Sequence, residues 1–88
     1  MSALPEPGPW FVYLVRCADG TLYAGITTDI NRRVAEHNSG GGLGARYTRG
    51  RGPVTLAYLE PADSRSEAAR REREVKKMSR AGKLTLIG

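Results

Sequence analysis

Two tyrosines, an arginine–histidine pair and one carboxylate are the residues whose types and spacing suit chemistry. Tyr13 and Tyr23 flank the turn signal Ala18-Asp19-Gly20. A tyrosine hydroxyl donates and accepts hydrogen bonds, and a nearby cation favours its phenolate. Arg33 and His37 stand four apart and so share one helical face. The arginine suits a two-bonded grip on phosphate, and the histidine suits proton transfer near neutral pH. Taken singly, Arg33 also reads as a solvated helix charge, and His37 as a last-turn residue at the helix C-terminus. On a helical wheel of residues 64–80, Ala68, Ala69, Glu72, Val75 and Ser79 form one stripe. Glu72 thus lies on the face that should pack on the sheet. A carboxylate there is costly unless it is paired or binds a cation. A structural ion pair, for instance with Arg33, and a hard cation such as Mg²⁺ both satisfy it.

These residues need elements to hold them. Trp10 to Cys17 is rich in β-branched and aromatic residues and predicts a strand; Thr21 to Thr27 predicts a second. Asp29 is the expected N-cap of a helix from Ile30 to about Asn38, which stops at the glycines from Gly40. Val54 to Glu60 alternates as a third strand, broken by Pro61. Ser64-Arg65-Ser66-Glu67 matches a capping box, starting a helix that runs to about Arg80. Gly82 interrupts it, leaving Lys83 to Ile87 as a short apolar piece, helical or extended. The order β-β-α-β-α predicts an α+β fold, with a small three-stranded, mainly antiparallel sheet flanked by helices.

The turn decides where the tyrosines point. A two-residue Asp19-Gly20 loop puts them on opposite faces. A three-residue loop with Gly20 left-handed pairs Val15 with Tyr23 and Tyr13 with Gly25. That register sorts the residues better: Val12, Leu14, Leu22, Ala24 and Ile26 share a core face. Phe11, Tyr13, Val15, Tyr23 and Gly25 share the other, where the bare Gly25 leaves room for the Tyr13 ring or a ligand. Two tyrosines on such a face are, by themselves, ordinary packing residues.

The 88 residues allow one domain, 10–88, after a disordered lead-in over 1–9 that lacks the apolar run of a signal peptide. Fourteen Lys and Arg against nine Asp and Glu point to a polyanionic partner, most simply nucleic acid. The Gly- and Arg-rich loop from Asn38 to Pro53 supplies Arg46, Arg49 and Arg51 for phosphates and Tyr47 for stacking; Lys76 joins them as a phosphate contact. The single Cys17 excludes an internal disulfide and fits a reducing cytoplasm. No segment is long enough to span a membrane, and a monomer is expected.

In combination these residues resemble the GIY-YIG nuclease superfamily. Phe11-Val12-Tyr13 and Tyr23-Ala24-Gly25 look like the two halves of its signature. Arg33 and His37 are similar in placement to its helix motif, and Glu72 to its metal-binding glutamate. The Arg-Tyr-Thr-Arg-Gly stretch at 46–50 and the Ser-Arg-Ala run at 79–81 resemble the small free-standing YhbQ-like bacterial branch. The first half keeps only its tyrosine, the second has Ala24 at its centre, and the late asparagine of several such nucleases has no clear counterpart. The resemblance implies hydrolysis of DNA, with RNA left open, using one divalent ion, Mg²⁺ or Mn²⁺. It implies Tyr13 as general base, Tyr23 as orienting group, Arg33 as charge stabiliser, His37 as auxiliary donor or base, and Glu72 as metal anchor. Tyr13, Tyr23, Arg33 and Glu72 are then expected to line one shallow, basic, solvent-open cleft. The alternative is a non-cleaving nucleic-acid-binding module on the same scaffold.

Overall fold

The computed structural model describes residues 9–39 and 51–88. Three strands and three helices follow in the order β1 (Trp10–Arg16), β2 (Leu22–Thr27), α1 (Ile30–Asn38), β3 (Thr55–Ala62), α2 (Arg65–Lys77) and α3 (Arg80–Ile87). The sheet runs β2-β1-β3, so the apolar β1 is central, and both of its pairings are antiparallel.

The hairpin uses the three-residue loop. Gly20 has φ +86°, Gly20 N–H donates to the Cys17 carbonyl, and Cys17 N–H donates to Thr21 O at 2.8 Å. The register follows: Tyr13 faces Gly25 and Val15 faces Tyr23. Asp19 accepts from both the backbone N–H and the hydroxyl of Thr21, which closes the turn with a side chain rather than a longer ladder.

Alternation along β1 feeds two cores. Val12, Leu14 and Ala24 pack with Ala68 and Val75 of α2, and Leu86 and Ile87 of α3 join from the side. Tyr13, Val15, Cys17 and Val54 pack with Tyr23 and with Ile30 and Val34 of α1 on the opposite face. Val12, Leu14, Val15 and Val75 are fully buried, each worth about 1.5–3 kcal/mol of transfer free energy. The expectation of a single core face is therefore corrected: the tyrosine face is a second, smaller core roofed by α1.

Two boundaries also differ from expectation. Pro61 does not break β3. It lies inside the strand opposite Phe11, tolerated because β3 is an edge strand and its missing N–H costs no ladder bond on the open side. Helix α2 stops at Lys77, before Gly82. Met78 turns extended at ψ 148°, and Ser79 caps a new helix by accepting from Gly82 N–H. The capping serine, set among helix-forming residues, makes the break, and Gly82 sits within the first turn of α3. Asp29 and Ser64 cap α1 and α2 as expected, accepting from Arg32 N–H and Glu67 N–H. The Glu67 carboxylate pairs with Arg70.

Candidate active site

Strand β1 and helix α1 build the floor of the site. Tyr13 points toward α1 from the central strand, and His37 meets it from the last turn of that helix. The Tyr13 hydroxyl lies 2.9 Å from His37 Nε2, and Arg33 Nε donates to the same hydroxyl at 3.4 Å. Tyr13 and His37 are 1% and 4% exposed. The His37 ring stands edge-on to both tyrosines, its centroid 5.9 Å from Tyr13 and 5.7 Å from Tyr23. Gly25 lies beneath: a Cβ there would overlap the Tyr13 hydroxyl. The glycine is thus a space requirement for the tyrosine ring, not a turn requirement.

Burial sets the protonation states. It pushes the Tyr13 phenol above its ordinary range, although hydrogen bonding and charge from Arg33 pull the other way. Burial and then the Arg33 charge hold His37 below its ordinary 6.5, with Glu36 opposing them. His37 is therefore neutral at pH 7. Arg33 Nε donates to the Tyr13 oxygen, and His37 Nε2 can take the phenolic proton when the neutral ring carries its own on Nδ1. Burial lowers Arg33, but hydrogen bonds to Glu36 and Tyr13 outweigh it and keep the guanidinium charged.

The rim is less buried. The Arg33 side chain is 25% exposed and bonds Glu36 at 2.9 Å. Glu72 is 20% exposed and pairs with Lys76 at 3.2 Å, while the Lys76 ammonium lies 5.8 Å from the centre of the Tyr23 ring. Through Lys76, α2 places this carboxylate on the Tyr23 side of the sheet, at the β2 edge. The solvent-open cleft is corrected. Tyr13 is enclosed beneath α1, and Tyr23, Arg33 and Glu72 are each partly exposed. Among the described residues Glu72 pairs with Lys76.

Among the described residues no three His, Cys, Asp or Glu side chains form a metal-holding group. Glu72 is a lone half-buried carboxylate, a donor that fits a hard cation completing its shell with water and phosphate. Arg51 ties the hairpin turn to the start of β3 through Asp19 at 3.2 Å, and its carbonyl accepts from Ala18 N–H. Arg46, Tyr47 and Arg49 lie outside the described residues. Sequence reasoning missed Glu36 and Asn38. Glu36 follows Arg33 by one turn, a spacing that signals the pair. Asn38 grips Val54 twice, donating to its carbonyl at 3.0 Å and accepting from its N–H at 2.6 Å. No local pattern announces that clamp, because its partner is sixteen residues away.

A family profile described as the GIY-YIG catalytic domain matches residues 9–85, spanning every element that supplies the site. The chain belongs to the GIY-YIG family. It is 60% identical over 76 residues to a UPF0213 protein of Halobacterium salinarum, covering 86% of this chain and 96% of that one. It is 59% identical over 78 residues to a UPF0213 protein of Desulfotalea psychrophila, covering 89% and 70%. The solution NMR structure of the UPF0213 protein BH0048 from Bacillus halodurans superposes with a TM-score of 0.56 at 47% identity, covering 90% of this chain and 82% of that one. GIY-YIG membership makes the chain a nuclease-family domain and a nucleic acid its implied substrate. No helix among the described residues is long and apolar enough to cross a membrane.

Proposed function

We propose that this GIY-YIG domain is a divalent-metal-dependent endonuclease that hydrolyses DNA phosphodiester bonds in DNA repair or processing. The observation that carries the reading is the Tyr13 hydroxyl, held between Arg33 Nε and the neutral His37 Nε2. In a buried phenol this is a proton relay. The attacking water gives a proton to the Tyr13 oxygen as the Tyr13 proton moves to His37 Nε2. The water oxygen bonds to phosphorus, and the bond to the leaving oxygen breaks. Arg33 stabilises the charge that grows on the phosphate oxygens. Tyr23, beside His37, orients the water. Glu72 would hold Mg²⁺ or Mn²⁺, one ion per site, which when bound polarises a phosphate oxygen and eases departure of the leaving oxygen.

Arg46, Tyr47, Arg49, Arg51 and Lys76 are assigned to the nucleic acid, and the working form is a cytoplasmic monomer. The depth of Tyr13 favours one rival, a module that binds nucleic acid without cutting. Incubation with branched, nicked and single-stranded DNA separates the two. Cutting that requires Mg²⁺ or Mn²⁺, stops with EDTA and is lost in Glu72→Ala supports the enzyme. Salt-sensitive binding without cutting on every substrate establishes the rival instead.

A further inference from the structure

The charge of this chain is unevenly placed. Lys76, Lys77, Arg80 and Lys83 hold four of the fourteen cations, and the segment 76–88 holds none of the nine acidic residues. Two of these cations, Arg80 and Lys83, line a cavity of about 220 Å³ together with Thr21 and Leu22 at the start of β2. Among the described residues no carboxylate lines it. The cavity lies where the break between α2 and α3 meets the hairpin turn.

Arg80 is already ordered for a ligand. One of its terminal nitrogens donates to the Gly20 carbonyl at 2.8 Å, which fixes the guanidinium over the turn before anything binds. The neighbouring acid, Asp19, is engaged by Thr21 and by Arg51. The acid on the α2 side, Glu72, faces Lys76. The capping oxygen of Ser79 accepts from Gly82 N–H. Lys83 follows Arg80 by one turn of α3, so the two cations address the same space.

The cavity also continues the candidate active site. Lys76 stands beside Tyr23, near the end of α2 and four residues before Arg80 across the helix break. Tyr23 and Thr21 are two residues apart along the strand direction, about 7 Å at some 3.4 Å per residue. The cavity therefore lies next to Tyr23, along the edge of β2.

We infer that Arg80 and Lys83 form a second phosphate site, which grips a backbone phosphate on one side of the bond being cut and so sets where the strand lies. The inference rests on the proposed nucleic-acid function and adds a direction to it: the strand runs along the β2 edge, from Tyr23 toward the hairpin turn. The ligand class is a phosphodiester, read by charge and not by base identity.

Two measurements test it. In the first, binding of a short duplex is followed by fluorescence anisotropy in EDTA, where no cutting interferes, from 50 to 200 mM salt. Lys83→Gln should weaken binding about 3- to 10-fold at low salt and flatten the log Kd against log salt slope by about 0.9, one phosphate contact. Lys83→Arg should restore both. In the second, inorganic phosphate is titrated into the ¹⁵N-labelled protein. The amides of Thr21, Leu22 and Lys83 should move in the native chain and stay still in Lys83→Gln. An unchanged slope with unmoved amides overturns the site even if the protein cuts DNA. Amide shifts and a reduced slope in a protein that cuts nothing uphold the site and defeat only the catalytic reading.

Discussion

The Tyr13 hydroxyl and the His37 ring nitrogen Nε2 meet at 2.9 Å in the interior, with Arg33 donating to the same oxygen. Tyr13 comes from β1 and His37 from α1, and Tyr13 packs among Val15, Cys17, Val54, Ile30 and Val34. The pairing joins packing to protonation: the contact exists because α1 roofs the sheet, and the roof keeps His37 neutral.

Tyr13→Phe removes the relay and leaves the ring in place. Cleavage should fall by about 10²- to 10⁴-fold, the range expected for loss of a positioned proton-transfer group. His37 Nε2 and Arg33 Nε lose a buried partner, which should cost about 1–3 kcal/mol. Turnover on a nicked duplex and a urea denaturation curve check both numbers. A variant that cuts normally would remove Tyr13 from the mechanism.

Gly25→Ala should be disproportionately severe for the addition of one methyl. The new Cβ overlaps the Tyr13 hydroxyl, so the ring must leave its position against His37. Overpacking of this kind costs about 1–3 kcal/mol. In a domain of this size each kcal/mol lowers Tm by about 4–8 °C. A scanning-calorimetry Tm unchanged from the native protein would show that the ring has other places to go. Combining Gly25→Ala with Tyr13→Phe should recover part of the loss, because the overlapping oxygen is then absent.

Stability should rise with pH through the range just below 6.5. Burial holds the folded His37 below its ordinary value of 6.5, so in this window the unfolded chain binds more protons. The slope of unfolding free energy against pH is then positive. The stabilisation is present above 6.5 and is lost as pH falls through the folded value. At the alkaline end Tyr13 has the opposite sign. Its raised value means that the unfolded chain loses the phenolic proton first, so stability falls as pH climbs beyond 10. Denaturation curves from pH 5 to 8 in the native protein and in His37→Gln isolate the first effect; the difference between them should vary with pH below 6.5 and flatten above it.

Asn38→Ala should loosen the site without touching it. Its amide joins the end of α1 to Val54 through two hydrogen bonds, next to His37 in the chain. Losing them should cost about 1–3 kcal/mol. The chemical shifts of the His37 ring protons should move toward those of an exposed histidine, and Asn38→Asp should retain only the bond that accepts from Val54 N–H. Unmoved ring shifts in a destabilised protein would confine the clamp to structure.

The register of the hairpin was readable because two signals agree. Gly20 suits the left-handed position of a three-residue loop, and only that loop gathers Val12, Leu14 and Ala24 on one face. The caps Asp29 and Ser64 were readable for the same reason, since their partners lie three residues away. What escaped depended on distant partners. The enclosure of Tyr13 depends on Ile30 and Val34, whose spacing continues to His37 and marks a stripe that reads as a roof only once β1 is known to be central. Glu72 reads as the partner of either an arginine or a cation, and Lys76, one turn on, reads equally as a phosphate contact. Pro61 reads as a terminator because edge and centre positions are indistinguishable along a single strand.

Strand β1 has no face turned to water: its neighbours are β2 and β3, and its two sides feed the two cores. Tyr13 rides on that strand. Its backbone amide should therefore exchange with solvent only when the whole domain opens, and its exchange rate should report the global unfolding free energy. Arg33, Glu72 and Lys76 sit instead on the helices α1 and α2 that pack against the sheet. The domain would thus keep its proton-handling group on its slowest-opening element and its charge-handling groups on faster ones, a division that residue-by-residue hydrogen exchange would display directly.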